Sequence, residues 1–70
     1  MSGLVECHSG YEYAERPMAL YWEGQRLEVD EMLGQWRLPE GKRFQVRTTG
    51  GALFELNYNE LFDQWIIRPL

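Results

Sequence analysis

The chain is 70 residues long, with a formal net charge of −4, three tryptophans and a single cysteine, Cys7. That length limits it to one domain, burying only ~60% of its unfolded surface, and the lone cysteine excludes an internal disulfide. One cysteine beside one histidine, His8, is too little for a four-ligand structural zinc site, and the acidic balance argues against a generic nucleic-acid coat.

Residues 1–16 mix small, charged and aromatic residues with neither strand nor helix periodicity, and read as a flexible N-terminal arm with Tyr11 and Tyr13 placed to touch the body. No basic region followed by an apolar run opens the chain, and no segment approaches the ~20 apolar residues of a helical membrane span. With a free cysteine this points to a reducing cytoplasm. Pro17 opens a domain over residues 17–70, where a missing N–H does least harm.

From Met18 the pattern alternates: Met18, Leu20 and Trp22 face one way, Ala19, Tyr21 and Glu23 the other. Glu23-Gly24 suits a two-residue type I′ turn, with glycine supplying a positive φ. The implied register sets Leu20 against Leu27 and Met18 against Val29 on one face, Tyr21 against Arg26 and Ala19 against Glu28 on the other. A one-residue slip would break it. Beyond Asp30 the alternation fails at Met32-Leu33. A bulge or bend near Gly34 would return Trp36 and Leu38 to the core, whereas a helical turn over residues 28–35 would be short and interrupted by Gly34.

Pro39-Glu40-Gly41-Lys42 reads as a turn. Phe44, Val46 and Thr48 then point inward, and Arg43, Gln45 and Arg47 outward. A three-residue connection, Thr49-Gly50-Gly51, leads into inward Ala52, Phe54, Leu56 and Tyr58. That register pairs Val46 with Phe54, Phe44 with Leu56, Gln45 with Glu55 and Arg43 with Asn57. Asn59 can cap a single turn in which Leu61 and Phe62 plug one end of the sheet. A last strand over residues 64–68 buries Trp65 and Ile67 with Ile66 on the opposite face. The prediction is an all-β domain: a five-stranded antiparallel meander coiled into a small, partly open, SH3-like barrel.

Catalytic chemistry is hard to assemble. Cys7 and His8 are sequence neighbours that point apart in an extended segment, and the carboxylates of Glu28, Asp30 and Glu31 read as a solvated strand face without the burial that tunes a catalytic acid. Thr49-Gly50-Gly51 lacks the lysine and following helix of a phosphate loop. The expectation is therefore no enzyme, cofactor or metal. Charge is uneven, −5 over residues 1–35 and +1 over residues 36–70. Tyr21, Arg26, Trp36, Arg37, Arg43 and Arg47 form a candidate basic and aromatic binding strip, on which a single-stranded nucleic acid could stack or a protein could dock.

The series Arg16-Pro17, Tyr21-Trp22-x-Gly24-x-Arg26-Leu27-x-Val29, Leu33, Trp36-Arg37, Phe44-x-Val46-x-Thr48, Gly51, Phe54-Glu55-Leu56-x-Tyr58 and Trp65-x-Ile67 covers about three quarters of the chain. It resembles a small bacterial domain family of unknown function, similar to the C-terminal domain of catalytically inactive Y-family DNA polymerase relatives that assist translesion synthesis. The resemblance implies an accessory module near DNA repair and carries over no catalytic residue. The resulting expectation is a cytoplasmic protein-interaction module, monomeric or weakly dimeric. Its alternative is a weak binder of single-stranded nucleic acid.

Overall fold

The computed structural model describes residues 2–7 and 16–70. All of its elements are strands: β1 (Ser2–Gly3), β2 (Val5–Cys7), β3 (Pro17–Trp22), β4 (Gln25–Leu38), β5 (Gly41–Thr48), β6 (Leu53–Asn59) and β7 (Gln64–Pro69). Every ladder is antiparallel, in the order β1-β7-β6-β5-β4-β3-β2. Only Leu4 separates β1 from β2, so the two act as one kinked strand and the fold is a six-stranded half-barrel rather than a five-stranded one.

The two hairpins follow local turn chemistry. Glu23 and Gly24 both adopt positive φ, 51° and 79°, the requirement of a type I′ turn, and Leu20 pairs with Leu27 and Tyr21 with Arg26. In the second hairpin Gly51 sits at φ 90°, and the Thr48 N–H donates to the Ala52 carbonyl at 2.8 Å. Val46 consequently pairs with Phe54, Phe44 with Leu56 and Gln45 with Glu55. Alternation then places Phe44, Val46, Leu56, Trp65 and Ile67 on the inner face, each at most 3% exposed. Tyr58 and Phe44 stack at 4.9 and 5.9 Å from Trp65, and Trp22 meets Phe54 edge-on at 5.6 Å.

β4 turns the corner between the two halves of the sheet. Its residues 25–28 pair with β3, and from Val29 onward it pairs with β5. Register shifts between Val29 and Glu31 and between Met32 and Gly34 mark two bulges. The second falls where the sequence places a bend, but its consequence differs from the expected return to the core. Met32 faces Val46 on the inside, and the extra residue flips parity, so Gly34 lies opposite Gln45 and Trp36 opposite Arg43 on the outside. Trp36 is 45% exposed and Leu38 only half-buried.

Other expectations are corrected too. Residues 2–7 are not an arm: β1 pairs with β7, β2 pairs with β3, and Val5, 2% exposed, belongs to the core. Two residues in one ladder and three in the other are too few to show a period in the sequence. Tyr11 and Tyr13 lie outside the described residues. Met18 and Ala52 sit at strand ends and are exposed despite their inward parity. Asn59 Oδ1 does cap its turn, accepting the N–H groups of Leu61 at 2.9 Å and Phe62 at 3.1 Å, yet both side chains project into solvent.

Candidate binding face

The outer face of β4 to β7 is built in rows that follow from the registers. One row runs Trp36, Arg43, Asn57, Ile66; the next runs Gly34, Gln45, Glu55, Arg68. Residues in a row lie about 5 Å from one strand to the next, so the row from Trp36 to Ile66 spans about 15 Å. Its two ends are apolar and open to solvent, Ile66 being 46% exposed. Its middle is polar and internally satisfied: Arg43 Nε donates to Asn57 Oδ1 at 3.0 Å.

Trp36 owes its position to Gly34. The six-membered ring of the indole lies against that residue, where a Cβ would collide with it. A depression of about 210 Å³ borders the ring, lined by Arg37, Leu38, Arg43 and Gln45. A second, of about 260 Å³, shares Leu38 and Arg43 and extends past Glu55 and Asn57 to Ile66 and Arg68.

Glu55 anchors the second row from beneath. It is 5% exposed, a charged side chain sunk into a sheet face. Burial pushes its carboxyl upward, but the Asn57 hydrogen bond, the Arg68 and Arg43 guanidinium groups and a hydrogen bond from Gln45 outweigh that and hold it below the usual range. Arg68 reaches it at 2.6 Å and Arg43 at 3.8 Å. These partners make the cluster a polar clamp across β5, β6 and β7.

The six strip residues predicted from sequence do not form one surface. Trp36 and Arg43 are cross-strand neighbours. Arg37 follows Trp36 but reaches the β6–β7 turn, pairing with Glu60 at 3.0 Å. Arg47 lies further along β5 and is held by Glu31 at 2.6 Å and Asp30 at 3.3 Å. Tyr21 and Arg26 belong to the other half of the sheet, where both donate to Glu6 Oε2, at 2.7 and 2.8 Å. Arg26 also reaches Glu6 Oε1 at 3.1 Å. The hydrogen bond from Arg26, then that from Tyr21, lowers the Glu6 carboxyl to about 2, and Glu6 in turn raises Arg26 and the Tyr21 phenol. Glu6 and Glu28 flank Ala19 on the two adjoining strands, which explains why this outward-facing alanine is fully buried.

Sequence reasoning missed Ile66, Asn57, Glu55 and Arg68 as members of the face. Their outward parity was readable strand by strand, but the row emerges only when β7 is registered against β6. Among the described residues no group of three or more histidine, cysteine, aspartate or glutamate side chains is arranged to hold a metal ion. Cys7 is half-buried on β2, and His8 lies outside the described residues. No protein-family model, curated protein or solved structure matches the chain, so the reading of this face rests on its geometry.

Proposed function

We propose that this chain is a non-enzymatic protein-interaction module that engages its partner through the outer face between Trp36 and Ile66. The observation that carries this reading is Trp36 itself: a large aromatic left 45% exposed on a regular strand, seated on a glycine and bordered by a depression. An ordered, half-exposed indole framed by satisfied polar groups has the anatomy of an interface anchor, whose burial by a partner removes much apolar area at little entropic cost.

The charge arrangement favours a protein over a nucleic acid. Arg26, Arg37, Arg43, Arg47 and Arg68 each have a carboxylate within 4 Å. A phosphate backbone would have to displace those carboxylates, and the net charge of −4 opposes its approach.

The test is photo-crosslinking in cells with benzoylphenylalanine placed at Trp36, at Ile66 and, as control, at Gly50 on the β5–β6 hairpin tip. The reading expects one protein species trapped from the first two positions and not from the third. Loss of that species in a Trp36→Ala background should follow. Trapping of nuclease-sensitive material, or equal trapping from Gly50, would overturn it.

A further inference from the structure

β4 is the longest strand, and most of it has a ladder on one side only. Its pairing with β3 ends at Glu28, opposite Ala19, whereas pairing with β5 continues from Val29 to Leu38. Among the described residues nothing pairs with the other edge of residues 30–38. Native sheets usually blunt an edge of this length, because its free N–H and C=O groups template another strand. Here two bulges and the carboxylates of Asp30 and Glu31 disturb the first part. From Gly34 to Leu38 the register is regular.

Two depressions border this stretch of β4. The first, about 350 Å³, lies between Pro17 and Met18 of β3 and residues 28–32 of β4, with Arg16 at its rim. Glu28, Asp30 and Glu31 are among its lining residues. Arg47 engages the last two, while the Glu28 side chain is 71% exposed and lies 3.7 Å from Arg26. The second is the Trp36 depression.

Resting on the protein-binding reading of the Trp36 face, we infer that the partner is an extended, cationic peptide segment that adds as a strand to residues 30–38 of β4. Main-chain hydrogen bonds along the free edge supply the docking, and alternate side chains supply selectivity. A side chain opposite Trp36 lands on the outer face beside the indole and is apolar. A lysine or arginine at the other end meets Glu28, Asp30 and Glu31. Because the bulge between Met32 and Gly34 takes up one position, as the pairing of Glu31 with Arg47 and of Trp36 with Arg43 shows, the two lie about four residues apart on an added strand and share its outer face. The net charge of −4, with Arg26, Arg37, Arg43, Arg47 and Arg68 each beside one of the chain's own carboxylates, makes the long-range field attractive to a basic segment.

The experiment is selection of random peptides of about twelve residues, enough to span the edge, on the intact chain, followed by amide hydrogen exchange of the complex. The expected result is enrichment of peptides with a basic residue about four positions from an aliphatic or aromatic one. The fast-exchanging amides within residues 30–38 should slow at least about tenfold on binding. N-methylating the peptide amides that face the edge should weaken binding about tenfold for each hydrogen-bonding pair removed.

Enriched peptides that leave the edge amides unprotected, acidic enrichment, no enrichment, or equal affinity of the N-methylated form would each overturn strand addition. Edge protection already present in the isolated monomer would assign the edge to this chain's own residues, and protection that grows with protein concentration would assign it to a second copy. Either refutes the proposal. Crosslinking at Trp36 remains informative in every case, so failure of strand addition is separable from failure of the interaction reading.

Discussion

Replacing Val5 by alanine tests whether the N-terminal segment is part of the folded domain. Val5 is 2% exposed, packs in the central cluster and pairs with Leu20 on β3. Removing two buried methyl groups costs their transfer free energy plus a cavity contribution, about 2 kcal/mol for a change lying between isoleucine-to-valine and leucine-to-alanine. A 70-residue domain has a total stability of about 3.5–10 kcal/mol, so this is a large fraction. At about 4–8 °C per kcal/mol for a domain of this size, the melting midpoint should fall by about 8–16 °C. Thermal and urea unfolding followed by far-ultraviolet circular dichroism measure it directly. The control is Leu4→Ala, one residue away and 57% exposed. Its backbone carbonyl, which accepts the Tyr21 N–H at 3.0 Å, is retained, so its cost should stay within about 0.5 kcal/mol. If both variants melt together, close to the parent, then β1 and β2 do not close the sheet and the core lacks its N-terminal member.

Four further outcomes are expected. Trp65→Ala or Phe54→Ala, both at core positions, should cost about 3–5 kcal/mol and leave the chain largely unfolded at room temperature by circular dichroism. Gly41→Ala drives a methyl into the Tyr58 backbone carbonyl and should destabilise by several times as much as Gly34→Ala, which meets only the displaceable Trp36 ring; the latter should instead shift the Trp36 indole N–H resonance. Because the folded Glu6 carboxyl titrates at about 2 against an ordinary 4.5, its contribution is present above 4.5 and is lost as pH falls toward 2. The stability gap between parent and Glu6→Gln, measured by urea titration, should therefore be flat at neutral pH and shrink across that window. Arg43→Glu with Arg47→Glu should abolish partner capture through loss of the Arg43–Asn57 row, but it also strands Glu55 and Glu31 beside like charge. A melt lowered along with binding would identify these arginines as structural.

The parts of the fold legible in the sequence are those governed by short-range chemistry. Glu23-Gly24 and Thr49-Gly50-Gly51 specify their turns through backbone freedom, and each turn sets a register that period-two alternation reinforces over several residues. Hence the inward placement of Phe44, Val46, Phe54, Leu56, Trp65 and Ile67 follows from the alternating pattern alone. Asn59 as a cap belongs to the same class, being a contact between neighbours in the chain.

What tertiary structure alone decided are the matters that depend on distant partners. A bulge can be sensed near Gly34, but whether it leaves Trp36 inside or outside turns on a one-residue parity change against β5. Val5 looks like part of an arm until β3 and β7 offer edges on either side of Leu4. The arginines read as a basic strip because sequence shows charge without distance; folding sets Glu6, Glu60, Glu55 and Glu31 against Arg26, Arg37, Arg43 and Arg47. The sequence therefore determined strands, turns and most of the core, because these follow from local sterics and alternation. The closing strand, the exposed Trp36 and the neutralised surface were decided by long-range pairing, which no local pattern encodes.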